Sequence, residues 1–359
     1  MNLDWTTMTR WGRELLVASG LAEPAAEAVV DTLLYAERRG FTSHGFMRLP
    51  TYAERVQAGG INGHARVRVL SDQTALAVVD ADAAAGAFSA ITCVEMALDK
   101  ARASGAGVVI ASNANHFGAA GYFTDLMAAA GFLGIAVANT DAVMCPPFGG
   151  RAVLGTNPIS IAVPAPDGGI GPQLDMATSE GNYGKILAAR DHGEPIPVGW
   201  AVDADGAPTT DPVAALAGAL LPTGGPKGFG LAFMVDCLVA IGGARTSDSA
   251  SPLYGDPAQP QRLGHAFIAI AVESVRSATA YDAAVTALSD AVHASALPGS
   301  VRPPMVPGEP ERRRLADSSS WAADDSILRA FASLSRDLAV TIPDGVAVRH
   351  APREDGATP

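Results

Sequence analysis

Cysteine is scarce in this 359-residue chain: Cys93, Cys145 and Cys237 stand far apart and form no CxxC pair. They make no even-numbered set, so a disulfide framework is not expected, and a reduced, cytoplasmic setting is the simplest reading. Runs of lysine or arginine are missing too, and the net charge is −12. A nucleic-acid partner is therefore not expected, although an acidic protein can still bind a small anion where a few basic side chains converge. Long apolar stretches are also lacking. The opening "MNLDWTTMTRWGRELL" has no uninterrupted signal-peptide core, and the apolar run near 227–242 is broken by Asp236, so no membrane partner is expected.

Several chemical signatures are absent as well. No G-x-G-x-x-G, Walker A or HExxH run occurs, and no Cys/His cluster has ligand spacing, so neither a Rossmann phosphate loop nor a metal site has support. "GAGVVIA" has two glycines but opens a strand, and "GGPKGFG" opens a helix with different spacing.

What is present is globular: 48% of the residues are hydrophobic, and the length accommodates two or three domains. Residues 5–60 read as helical, with Pro24 in a first turn and Gly40 as a stop. From about residue 75 strands and helices alternate: "TALAVVDA", "GAGVVIAS", "GIAVANT", "PISIAVPA" and "HAFIAIAV" as strands, with helices between them. That pattern predicts an α/β or α+β domain. Residues 243–263 read as a polar loop, 307–320 as irregular, 322–338 as a helix and the last nine as frayed.

Four stretches can carry chemistry. In "RGFTSHGFMRLPTY", Ser43 and His44 adjoin, Arg48 follows His44 by four residues, and Tyr52 follows Arg48 by four. One helix would put His44, Arg48 and Tyr52 on one face, although Pro50 would remove a hydrogen bond from its interior; a break near Arg48 with a new helix starting at Pro50 is the equal alternative. The plainer alternative makes Ser43 an N-cap and the rest a solvated face. In "SNANHFGAAGY", His116 follows a buried strand, where α/β proteins place ligand-handling groups; the alternative is a loop histidine satisfied by a hydrogen bond. The "LDMATSEGNYGK" stretch sets Asp175, Thr178, Ser179 and Lys185 in a turn suited to phosphate or ribose, or simply a polar turn. Lys227 stands at a helix start, a position the helix dipole disfavours unless an anion sits there.

Together with "GTNPISIAVP", "GWAVDADGAPTTDP" and "VPGEPE", these motifs resemble the malate/L-lactate dehydrogenase family of the second type, from about residue 10 to 311. The resemblance implies an α+β fold distinct from Rossmann. A helical domain at 1–70 would be joined by C-terminal helices at about 312–345. An NAD(P)-binding domain with a mostly antiparallel sheet would span 71–311, and 346–359 would be a flexible tail. It implies a homodimer, NAD(H) or NADP(H) as cofactor, and hydride transfer to a small 2-oxo acid or, alternatively, a cyclic imino acid. Either His44 or His116 would be the acid/base, with His116 favoured. Arg48 would hold the substrate carboxylate, with Tyr52 and Ser43 lining the pocket. Cofactor contacts would fall on Thr140, Asp175, Met176, Ala177, Thr178, Ser179, Lys185, Lys227, Gly228, Gly308 and Glu309. The chain departs from the family pattern after Glu311. Two rivals remain: a hydrolase using Ser43 and His44, which lacks a G-x-S-x-G elbow, and a ligand-binding protein without catalysis.

Overall fold

The computed structural model describes residues 2–165, 168–317, 321–322, 324–344 and 346. Asp4 caps α1 (Trp5–Ala18) by accepting from the Thr7 amide. Helix α2 (Glu23–Arg39) carries Pro24 in its first turn and stops at Gly40, whose φ of 81° is left-handed, as the spacing predicts. The stretch that follows is not one helix. It forms two 3₁₀ turns, Thr42–His44 and Phe46–Arg48, and then α3 (Leu49–Ala58) with Pro50 in its first turn. Proline is tolerated there because the missing N–H would have no helical partner. Ser43 therefore lies inside a turn and is not the N-cap of a helix.

Helices α1–α3 share their core with α11 (Asp325–Asp337): Trp11, Leu33, Phe46 and Leu49 pack with Leu328 and Phe331. The Trp11 indole N–H donates to Ser335 at 2.8 Å, so its one polar atom is satisfied in the core. Strand β1 (Asn2–Leu3) pairs antiparallel with β12 (Trp321–Ala322), tying the two chain ends together.

The main sheet comprises β2 (Arg68–Asp72), β3 (Leu76–Asp80), β4 (Ala106–Ala114), β5 (Phe132–Ala138), β6 (Ile159–Pro164), β7 (Ile170–Met176) and β11 (Leu263–Ala271). Its order is β2-β3-β4-β11-β5-β6-β7. Only β3 and β4 run parallel. Helices α4 (Gly86–Ser104) and α5 (Ala120–Ala129) cover one face, where Val109, Ala136 and Phe267 meet Val94 and Phe123. Helix α8 (Pro226–Ala240) covers the other, where Ile110, Val137 and Ala266 meet Val235 and Val239. Successive side chains point to opposite faces, so strands buried on both sides read as unbroken apolar runs. Edge strands β2 and β7 lack such runs and are not evident in the sequence.

A smaller sheet of β8 (Ala201–Val202), β9 (Pro208–Thr209) and β10 (Ala219–Leu220) sits with α6 (Tyr183–His192) and α7 (Pro212–Ala217). Helices α9 (Ala278–Ala294) and α10 (Glu309–Asp317) complete the chain. Residues 309–317 correct the expectation of irregular structure over 307–320. Arg312 anchors α10 by donating to the Gly171 carbonyl at 2.8 Å, and Arg313 pairs with Glu309 one turn away. A helix held by such tertiary and side-chain contacts shows no apolar periodicity. Apart from Val346, the expected tail at 346–359 lies outside the described residues. No helix among the described residues is long and apolar enough to cross a membrane.

Candidate active site

The paired 3₁₀ turns are built around Glu37 of α2. Its carboxylate accepts from the Phe46 amide at 2.9 Å, and a Cβ at Gly45 would come within 2.2 Å of the same oxygen. Only glycine permits that approach, and the turns it allows aim Ser43, His44 and Arg48 inward. Arg48 is buried, and its Nε donates to the Ser43 carbonyl at 2.7 Å. Its Nη1 has no partner, and among the described residues no carboxylate lies within ion-pair distance of it. A buried guanidinium left open in this way is suited to a ligand carboxylate.

His116 comes from the other side, just past the end of β4. Asn115 pins this corner by donating to the carbonyls of Ala83 and Ala84 at 2.8 and 3.0 Å, and Gln261 accepts from the His116 amide at 2.9 Å. Gly86 lets the start of α4 pass beneath, since a Cβ there would lie 2.4 Å from the His116 carbonyl. The His44 and His116 rings stack with centroids 5.8 Å apart. Ser43 Oγ lies 3.0 Å from His44 Nδ1, and Tyr52 Oη lies 2.6 Å from His116 Nδ1. Both histidines sit deep yet keep a partly accessible edge, as the walls of a cleft do. His44, Arg48, Tyr52 and His116, drawn from two distant segments, thus form one cluster.

Burial, and then the Arg48 charge, lower the His44 pKa to about 3. The same causes hold His116 well below its ordinary value. Both rings are neutral at pH 7. The Gly118 amide donates to His116 Nδ1 at 3.3 Å, so that nitrogen is an acceptor and the neutral ring carries its proton on Nε2. Burial raises the Tyr52 phenol to about 12, opposed by Arg48.

The residues assigned to the cofactor fall into two groups. Thr140, the Asp175–Ser179 turn, Lys185 and Lys227 surround the junction of β7, α6 and α8. Thr140 Oγ1 accepts from the Thr156 amide at 3.0 Å, and Thr178 donates to the Thr156 carbonyl at 2.9 Å. Ser179 donates to the Gly181 carbonyl at 2.7 Å. These hydroxyls are engaged within the chain, so the turn offers a ligand chiefly backbone and the accessible Met176 and Ala177. Gly228 lets α8 close on the turn, since a Cβ would lie 2.6 Å from the Thr178 carbonyl. Lys185 and Lys227 are exposed in the first turns of α6 and α8, with no ion pair among the described residues. Two unpaired ammonium groups at helix starts fit the charge of a dinucleotide's phosphates.

The second group borders a cavity of about 410 Å³ lined by Phe41, Gln173, Asp175, Val306, Pro307 and Gly308. The Asp175 carboxyl accepts from the Gly121 amide at 2.8 Å, and burial pushes its pKa up to about 7. Gly308 faces the cavity. Glu309 instead bonds His293 at 2.8 Å, Arg313 at 2.6 Å and the Val306 amide at 3.1 Å. The His293 bond chiefly holds its pKa down to about 2.

Sequence reasoning missed Glu37, Asp141, Tyr183, Gly184, Tyr254 and Gln261. Tyr254 lies in the 243–263 loop, with its ring centroid 5.2 Å from Arg48 Cζ, and it stacks on Tyr183 at 6.3 Å. Tyr183 and Gly184 fall inside the quoted "LDMATSEGNYGK" without a role assigned to them, and the other four stand in no motif. The glycines beside them, Gly45 and Gly184, were the available signal.

Comparison with known proteins identifies the family. A family model described as malate/L-lactate dehydrogenase matches residues 3–322. The chain is 37% identical over 333 residues to L-sulfolactate dehydrogenase of Methanocaldococcus jannaschii, covering 92% of this chain and 95% of that protein. It is 38% identical over 274 residues to ureidoglycolate dehydrogenase (NAD(+)) of Escherichia coli K12, covering 75% and 77%. The solved structure of the M. jannaschii sulfolactate dehydrogenase superposes with a TM-score of 0.87 at 35% identity, over 95% of this chain and 98% of that one. The chain belongs to the malate/L-lactate dehydrogenase family and is an oxidoreductase whose cofactor is NAD(H) or NADP(H).

Proposed function

We propose that the protein interconverts a small 2-oxo acid and its 2-hydroxy acid, with the substrate carboxylate on Arg48 and the proton handled by His116. The observation that carries this reading is the buried, unpartnered Arg48 Nη1, on a guanidinium whose charge acts on two stacked histidines. A bound nicotinamide supplies or accepts the hydride. Lys185, Lys227, the Asp175–Ser179 turn, Thr140, Gly228 and Gly308 would hold the dinucleotide. Glu309 would act indirectly, by shaping the 306–309 turn.

The protein's share of the chemistry is orientation and proton transfer. Arg48 fixes the plane of the carboxylate, and with it the neighbouring carbonyl. The His116 Nε2–H donates to the substrate oxygen. As that proton leaves, Tyr52 Oη–H, 2.6 Å from Nδ1, gives its own proton to the ring. The tyrosinate that remains is stabilised by Arg48, whose charge already opposes the rise in the Tyr52 pKa. To reset, Nδ1 returns that proton to the tyrosinate and solvent reprotonates Nε2, which restores both the phenol and the donating tautomer. His44, stacked on His116 and held by Ser43, positions the ring. Phe46, Met144 and Phe117 are buried and help exclude water.

A homodimer is part of the same reading. None of the residues of α9 is buried, although it is rich in alanine and valine. Leu231, Phe233 and Met234 of α8 and Leu288 of α9 are also exposed. Apolar surface of this extent suits a second copy, and light scattering coupled to size exclusion should give twice the chain mass.

Titration of nicotinamide fluorescence with NADH and NADPH, followed by loss of 340 nm absorbance with a panel of 2-oxo acids, tests the assignment. Arg48→Leu should lower kcat/KM by about 10²–10³-fold, as expected for truncating one partner of a buried charge pair, and leave the cofactor titration unchanged. Equal loss of both would remove Arg48 from its role.

A further inference from the structure

Beyond Arg48 the cleft ends on three residues from separate segments. Tyr254 presents its ring 5.2 Å from Arg48 Cζ and stacks on Tyr183 at an interplanar angle of 22°. The amide of Leu253, one residue earlier, donates to Asp141 Oδ1 at 3.4 Å. Gly184 brings the start of α6 against the other wall, since a Cβ there would lie 2.7 Å from Ser43 Cβ and 3.4 Å from Arg48 Nη2. Asp141 is partly accessible, and its charge acts on Arg48 and on Tyr183.

The charge inventory of this end is short. Among the described residues Arg48 is the one guanidinium with a buried, unpartnered Nη. Arg55, which also feels Asp141, directs its Nη1 and Nη2 to the carbonyls of Leu253 and Gln259 at 3.1 and 2.5 Å. Arg190 is paired with Asp191 at 2.7 Å. Once a carboxylate occupies Arg48, what remains here is one carboxylate and two phenol rings. A second acid group on the substrate would find Asp141 in place of a cation, and like charges in a partly desolvated cleft repel.

We propose that Asp141, Tyr183 and Tyr254 determine specificity, selecting 2-oxo acids with a single acid group and an uncharged tail over those carrying a second carboxylate or a sulfonate. This rests on Arg48 as the carboxylate anchor. The tail lies along the two phenol rings, which offer apolar faces, while Asp141 excludes an anion from the same space.

The test is kcat/KM at saturating cofactor for oxaloacetate, sulfopyruvate, 2-oxobutyrate and phenylpyruvate. The wild type should favour at least one of the two single-acid substrates over both two-acid substrates by about tenfold or more. Asp141→Asn should narrow that ratio by roughly tenfold through a lower KM for oxaloacetate, while Tyr254→Leu should raise KM for phenylpyruvate more than for 2-oxobutyrate. A wild type that prefers oxaloacetate or sulfopyruvate overturns the proposal, as does an Asp141→Asn variant that loses activity equally on all four. Arg48→Leu separates the two levels. If it abolishes turnover across the panel while the ratios go the wrong way, only the specificity assignment falls. If it leaves turnover intact, or if the wild type reduces none of the four, the anchor falls and the specificity assignment with it.

Discussion

Two buried polar clusters lie on either side of α2, and they are built to opposite rules. On one side, Arg39 meets Asp125 at 2.7 Å with both side chains nearly sealed from water. Asp125 also accepts from Tyr35 at 3.0 Å and from Gln173. Burial lifts the Asp125 pKa to about 6, and the Arg39 charge opposes that rise. On the other side, among the described residues, Arg48 has no carboxylate within ion-pair distance, with Asp141 acting on it from further off, His44 and His116 stack without an acidic partner, and a phenol takes the place of an anion. The first cluster meets its electrostatic need within the chain, while the second leaves that need for a ligand. An unpaired buried charge is costly, so it persists where a ligand completes it.

The largest test of this contrast is His116→Ala, which should lower turnover by about 10²–10⁴-fold, the range for a lost general acid, with little change in melting temperature. Near-normal turnover would remove the ring from the proton path. Asp125→Ala should do the reverse. Leaving Arg39 uncompensated should cost about 3–5 kcal/mol of stability, read by denaturant unfolding. A melt unchanged within error would mean that the sealed pair is not structural. Tyr52→Phe takes away the proton that backs the neutral ring, so kcat should fall by about 10²-fold, the low end of the general-acid range, with substrate KM nearly unchanged. An effect on KM alone would make Tyr52 a pocket wall only.

The smallest effect is on pH dependence, and its sign is definite. Burial lowers the His116 pKa, so the ring is already neutral below pH 6.5 and stays so above it. If a neutral ring backed by Tyr52 delivers the proton, kcat/KM for reduction should be nearly level from pH 6 to 9. An imidazolium donor would instead make it fall about tenfold per pH unit above its pKa. A steep decline starting near pH 6.5 would contradict both the neutral ring and the relay.

Local signals in the chain predicted much of this arrangement. Pro24 and Gly40 bound α2 as their spacing predicts, and the apolar runs at 106–114 and 263–271 are the two central strands. Of the two arrangements open at Pro50 the break is the one that forms: α3 starts at Leu49 with Pro50 in its first turn, and the turns before it direct His44 and Arg48 inward. Edge strand β7 and helix α10 were not legible: β7 pairs on one side only, with β6, and lacks an unbroken apolar run, while α10 is anchored by Arg312 on the Gly171 carbonyl, 141 positions away.

By itself, then, the sequence determined the elements that carry caps or apolar periodicity, the lack of a Rossmann phosphate-loop motif, and the residue types able to carry hydride-transfer chemistry. Periodicity, caps and motif chemistry act over a few residues and need no partner. Only the tertiary structure decided that His116 stacks on His44, that Tyr52 reaches its Nδ1, and that Tyr254 and Asp141 close the far end of the cleft. Those meetings join segments 64 to 200 or so positions apart. They depend on which faces the sheet and helices bury, and burial is a property of the whole packed chain.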